Sequence, residues 1–147
     1  MNLIRTNVAV ALLLNPYREV LLQKKDLRYH WKPGKWGFFG GRIDENLGET
    51  PEQALRRELT EELGMKFEEL QHFRDFSFHE TSDERDLMRS GKLYVYHGNY
   101  QGKLSDIRLD EGAGFAFFGE REISTLDMVS YNKMILNEFY ESLPRKE

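Results

Sequence analysis

The chain has 147 residues, of which 39% are apolar and 31% charged, with a net charge of −4; that is enough to build one hydrophobic core and marks a globular rather than a disordered chain. It holds no cysteine, which excludes disulfides, thiolate zinc sites and cysteine nucleophiles and suits a cytoplasmic protein. The negative sign disfavours non-specific binding to long nucleic acid, and the apolar run Val8 to Leu14 is too short to cross a bilayer and lacks a signal-peptide layout, so no membrane partner is expected.

Val8 to Leu14 reads as a buried strand, Asn15-Pro16-Tyr17-Arg18 as a turn, and Glu19 to Lys24 as the return strand of a hairpin. Asp26 to Lys35 is a polar loop carrying Pro33-Gly34. Lys24, Lys25, Arg28, Lys32, Lys35 and Arg42 form a basic stretch interrupted by Asp26; it is either a phosphate-binding patch or a solvated loop. Trp36 to Gly41 looks like a short strand running into a glycine-rich bend. The best helix follows. Thr50 can cap it, Pro51 suits its first position, Gln53 can close a capping box, and Gly64 suits the left-handed C-terminal position, so it should span Pro51 to Leu63. Phe67 to Leu70, Phe73 to His79 and Leu93 to Tyr100 read as strands, with the polar stretch Glu80 to Gly91 joining the last two. Phe115 to Phe118 is a further strand. Ser130 to Leu143, with Met134, Ile135, Phe139 and Tyr140 in helical register, is a closing helix. No repeat or linker divides residues 1–147, and strands, helix, strands, helix in that order predict a single-domain α+β sandwich.

Chemistry concentrates on the Pro51 to Leu63 helix. At about 100° per residue, Glu58, Glu61 and Glu62 share one arc, while Leu55, Leu59 and Leu63 fill the neighbouring one. One side therefore packs on a core and its neighbour presents three carboxylates. Glu58 and Glu62 are an unfavourable i,i+4 pair that Arg57, itself i,i+4 from Glu61, offsets only in part. A hard divalent cation relieves such crowding; Mg²⁺ takes carboxylate, phosphate and water oxygens. The Gly40-Gly41 bend can bring a backbone carbonyl to the same place. An acidic helix face with no ligand is the competing reading of the same residues.

Residue order narrows this further. Glu49, seven intervening residues and Arg57-Glu58-Leu59-Thr60-Glu61-Glu62-Leu63-Gly64-Met65 resemble the Nudix signature: Gly, five residues, Glu, seven residues, Arg-Glu-aliphatic-any-Glu-Glu-any-Gly-aliphatic. The motif covers residues 40–65, and the flanking order of elements extends the likeness over most of the chain with lower specificity. One departure stands out. Gly41 lies eight positions before Glu49 where the family has six, so two residues are inserted within Asp44 to Leu47. A loop tolerates such length, which leaves the loop's contacts in doubt and the glutamate helix untouched.

The resemblance implies a Nudix-type α/β/α sandwich with a mixed sheet, a catalytic helix and a C-terminal helix. It implies Mg²⁺, with Mn²⁺ as a substitute, held by Glu58, Glu61, Glu62 and the backbone carbonyl of Gly40, with Arg57 paired to Glu49. Glu58 is either a ligand or chiefly the base that activates water. Glu111, in the loop before Phe115 to Phe118, resembles a further glutamate that some members use as ligand or base. The implied reaction is cleavage of a phosphoanhydride bond in a nucleoside diphosphate linked to another group, by in-line attack of water without a covalent intermediate. Phe38, Phe39 or Trp36 would stack on a base, unless they are core residues, and Lys35 and Arg42 would face phosphates. Residues Trp36 to Gly41 are similar to those of MutT-type members that act on oxidised nucleoside triphosphates. The proline associated with ADP-ribose cleavage and the tyrosine associated with dinucleoside polyphosphates are missing from their usual places, whereas Gly41-Arg42-Ile43 keeps nucleotide sugars open.

His30, His72, His79 and His97 show no zinc-ligand spacing and read as structural or surface residues. No GxxxxGK[ST] run is present, which argues against a P-loop enzyme. Two other classes compete with the hydrolase: a catalytically silent Nudix-fold module that senses a nucleotide, and a structural domain whose acidic helix is mere surface. Family members are often dimers, so a homodimer stays open by analogy alone.

Overall fold

A computed structural model describes residues 2–27, 31, 33–82, 86–102 and 114–144. In chain order its elements are β1 (Asn2–Arg5), β2 (Val8–Leu14), β3 (Val20–Lys24), β4 (Trp36–Gly37), β5 (Phe39–Arg42), a 3₁₀ turn (Glu45–Leu47), α1 (Pro51–Leu63), β6 (Gln71–Ser82), β7 (Leu87–Asn99), β8 (Gly114–Phe118), a second 3₁₀ segment (Glu120–Thr125) and α2 (Ser130–Ser142).

The apolar run of β2 is the middle of the molecule. Its alternate residues divide between two cores: Ala9, Ala11 and Leu13 pack with Leu55, Leu59 and Leu63 of α1, and Val10, Leu12 and Leu14 pack with Ile135, Leu136 and Phe139 of α2. Each such leucine contributes about 1.5–3 kcal/mol on burial, and a strand covered on both faces needs no polar alternation. The result is a helix on each face of one mixed sheet, the α+β class expected. β7 lies parallel to β1 and β2 and antiparallel to β6; β2 and β3 form the antiparallel hairpin, and β8 pairs with β3.

β2 and β3 diverge beyond the pair Leu14↔Val20. The segment expected as one strand from Trp36 to Gly41 enters that gap and breaks at Phe38. β4 pairs with β3 through Gln23↔Gly37, and β5 pairs with β2 through Val10↔Gly40. No single straight strand can serve two diverging neighbours, so the break follows from the sheet's twist.

Other boundaries move for identifiable reasons. Phe67 to Leu70 is not a strand; the carbonyls of Phe67 and Glu68 accept from the Arg56 guanidinium instead of from a ladder. Much of the polar stretch Glu80 to Gly91 is strand, because Glu80↔Arg89, Thr81↔Met88 and Ser82↔Leu87 continue the β6–β7 ladder. β1 and both 3₁₀ segments were not expected. No helix among the described residues is long and apolar enough to cross a membrane.

Candidate active site

Local chemistry shapes α1 at both ends. Thr50 and Gln53 form a reciprocal capping box, Pro51 opens the first turn, and Gly64 closes the last in the left-handed region at φ 68°. Ala54, Leu55, Leu59 and Leu63 are buried, which turns Glu58 and Glu62 towards the gap between β2 and β3.

Arg57 ties the helix to the preceding loop. Its Nε and Nη2 donate to the two oxygens of Glu49 at 2.7 and 2.9 Å, a bidentate pair, and Nη2 also donates to the Arg42 carbonyl at 3.2 Å. Nη1 donates to Glu58 at 3.0 Å and lies 3.6 Å from Glu61. The bonds from Arg57, with one from the Asp44 amide, hold the Glu49 carboxyl down at about 2, and the same pair raises the Arg57 pKa further. The stretch in which the two extra residues fall includes the Glu45–Leu47 turn, capped by Asp44 and closed by Gly48; the Asn7 side chain donates to Glu45, and Leu47 is left 83% exposed. The extra length thus falls beside the Glu49–Arg57 pair.

Glu58 and Glu62 sit one turn apart, and burial pushes both above the usual range; the Glu61 charge adds to this at Glu58, and the Glu58 charge adds to it at Glu62. Arg57 counters this at Glu58. At Glu62 the counterweights are the Lys25 charge, the Gln23 amide at 3.1 Å and the Gly40 N–H. Glu61 points elsewhere: its side chain is 59% exposed and leans on Arg57. Among the described residues no three acidic or imidazole side chains converge into a ready-made cation cage. Two inward carboxylates with depressed acidity nonetheless fit Mg²⁺, which commonly takes one or two carboxylates and completes its shell with phosphate and water. Glu61 would have to leave Arg57 to join them.

Both glycines of the bend are dictated by close approach. Gly40 has φ +142° and a Cβ there would meet Val10 Cα at 2.7 Å; a Cβ on Gly41 would meet Glu58 Oε1 at 2.6 Å. The Glu58 carboxyl therefore lies against a bare Cα.

A cavity of about 270 Å³ opens beside the two glutamates; its lining includes Gly41, Arg42, Glu58 and Glu62, then Trp31, Trp36 and Phe38. Its remaining wall holds a polar network. Arg89 donates from Nε to Glu80 at 2.9 Å, Glu80 also accepts from the Tyr131 hydroxyl, and the Arg89 guanidinium lies 4.6 Å from the Trp31 ring centroid and 5.6 Å from that of Phe78. Burial and the facing Glu80 charge push the Tyr131 hydroxyl far up. Asn132, next to Tyr131, is buried yet lines the cavity.

Two residues singled out in the sequence, Phe39 and Lys35, lie apart from this cavity. Phe39 is fully buried in the α1 core. Lys35 is not among the lining residues and bonds Asp127 at 2.8 Å. Glu111 lies outside the described residues. Sequence reasoning overlooked Gln23, Arg89 and Asn132. A polar residue inside Val20 to Lys24 and another on the apolar face of the closing helix were visible signals, whereas Arg89 was hidden in a stretch taken for a loop.

The NUDIX domain family matches residues 3–140. An RNA pyrophosphohydrolase of Sulfurovum is 34% identical over 142 residues, covering 92% of this chain and 83% of its own length. An 8-oxo-dGTP diphosphatase of Proteus vulgaris is 38% identical over 61 residues, covering 42% of this chain, so the likeness spans only 52% of that protein. Among solved structures, a MutT protein from Methanosarcina mazei superposes with a TM-score of 0.80 over 96% of both chains at 18% identity, which is a likeness of fold.

Proposed function

Because the chain belongs to the NUDIX domain family, we propose that it is a Mg²⁺-dependent hydrolase, working in the cytoplasm, that cuts a phosphoanhydride bond of a nucleoside triphosphate and releases a nucleoside monophosphate and pyrophosphate. The observation that carries this is the pair Glu58 and Glu62, half-buried one turn apart, with Glu58 against Gly41, at a cavity with aromatic walls.

Glu58, Glu62 and the Gly40 carbonyl would hold the cation, with Glu61 recruited from Arg57. When bound, the cation neutralises phosphate charge and makes bound water more acidic. The chain's own groups do the rest. Arg57 and Glu49 fix the helix against the loop, so that Glu58 keeps its place over Gly41. Glu58, held by Arg57 and within reach of solvent, takes the proton of the attacking water on the oxygen that is not on the cation. Lys25 and Arg42 add positive charge beside the phosphates. The nucleobase enters among Trp31, Trp36 and Phe78, where an aromatic face favours stacking and the Asn132 amide offers both donor and acceptor.

A second reading rests on the relative matched over most of its length: the substrate is the 5′ end of an RNA. Net charge −4 weighs against a long backbone as partner. Pyrophosphate or phosphate release with Mg²⁺ separates the two, using ordinary and oxidised nucleoside triphosphates, ADP-ribose, nucleotide sugars, dinucleoside polyphosphates and a short 5′-triphosphorylated RNA. One class should be preferred, and Glu58→Gln should lower kcat by about 10²–10⁴-fold. Silence across the panel with Mg²⁺ and Mn²⁺ would instead favour the nucleotide-sensing module.

A further inference from the structure

The chain breaks between β4 and β5 at Phe38, whose carbonyl has no strand partner there, and this break sits beside the two inward glutamates. One side chain spans both. Gln23, on β3 opposite Gly37, is 5% exposed, and its Nε2 donates to the Phe38 carbonyl at 3.1 Å and to Glu62 Oε2 at 3.1 Å. An amide nitrogen carries two hydrogens, so both are spent. Turning the amide over would set its oxygen against two acceptors, so the orientation is determined by the network itself.

We propose that Gln23 is a positioning residue: by bridging the strand break to Glu62 it sets the direction of the Glu62 carboxylate and thereby the affinity of the site for a divalent cation. This rests on the reading of Glu62 as a metal ligand. Three features give it force. The bridge is buried, where a hydrogen bond is stronger and its loss more costly. Its acceptor on one side is a carboxylate, and bonds to charged groups are the strong ones. Its other end is backbone, held between β2 and β3, so the amide has a rigid anchor. A Gln in the buried part of β3, directly after Val20, Leu21 and Leu22, would be an expensive choice without such a duty. The Nε2 end of Gln23 cannot be a ligand, since both of its hydrogens face acceptors; it acts through Glu62.

The test is Mn²⁺ binding to the full chain, read by loss of the free-ion signal in electron paramagnetic resonance, with thermal unfolding as a check that each variant is folded. Gln23→Met keeps size and removes both bonds; Gln23→Asn keeps an amide in the break but is one methylene too short for Glu62, and is read if Gln23→Met does not fold. Mn²⁺ affinity should fall about tenfold in either, the magnitude of one hydrogen bond to a charged group. In a Glu62→Gln background the same change at Gln23 should add less than about twofold, because its effect runs through Glu62. Affinity within twofold of the parent in a folded variant, or a full tenfold loss added to that of Glu62→Gln, overturns the proposal. If Glu62→Gln alone leaves Mn²⁺ binding unchanged, the assignment of Glu62 as ligand has failed instead.

Discussion

Gly40 and Gly41 adjoin in sequence yet face different neighbours. A methyl on Gly41 would displace the Glu58 carboxyl, the movable end of a side chain; a methyl on Gly40 would strike the backbone of Ala9 and Val10 at a positive φ. Gly41→Ala should therefore abolish most hydrolysis with little change in melting temperature, and Gly40→Ala should lower both, as steady-state kinetics and thermal unfolding of the pair will show. A second single-residue effect concerns acid. The folded-state pKa of Glu49 is lowered from 4.5 to about 2, so the stability it contributes is complete above about 4.5 and disappears as the pH falls through about 2. Urea midpoints followed from pH 6 downwards should drop more steeply in the parent than in Glu49→Gln, and the two curves should converge near pH 2. Equal slopes would show that the Arg57 pair does not bear on folding.

At the level of elements, α1 owes its position to features that act before any tertiary contact. The capping box satisfies two terminal amides, and Gly64 ends the helix where the chain must turn. Thr50→Ala should cost about 1 kcal/mol, measurable by urea unfolding, and should leave Mn²⁺ affinity unaltered, since the cap lies at the far end of the helix from Glu61 and Glu62. The capping residues, the apolar stripe and the register of the glutamates were all legible in the amino-acid order because they depend on neighbours within four residues. Strand boundaries were less so. Glu80 and Arg89 look like loop residues in the chain, but as partners across β6 and β7 they satisfy each other in the interior.

Over the whole molecule, that ion pair joins three elements, since Glu80 also accepts from Tyr131 of α2. Its side chains are 24% and 7% exposed for Arg89 and Glu80, so removing one partner strands a buried charge. Arg89→Met should lose about 3 kcal/mol of stability, and adding Glu80→Gln should recover part of it, in urea unfolding of the single and double variants. An equal or larger loss in the double variant would mean that α2 is anchored by Glu80 through Tyr131 more than by the charge pair. The same wall lines the cavity, so these variants should also raise KM more than they lower kcat if the base lies against it.

The amino-acid order by itself determined the family, the glutamate helix with both of its ends, the central β2–β3 hairpin and the closing helix, because each is written in short-range spacing. Tertiary structure alone decided which carboxylates lie together: Glu58 and Glu62 are partly desolvated in the gap between β2 and β3, while Glu61, in the same arc of the helix, stays in water on Arg57. It also decided that Phe38 lines the cavity and its neighbour Phe39 fills the α1 core. Successive residues of a strand face opposite ways, and which face meets the ligand is settled only when the helices close on the sheet. Gln23 belongs to this second kind, because its role exists only once β4 and β5 part at Phe38 and leave a carbonyl for it to meet.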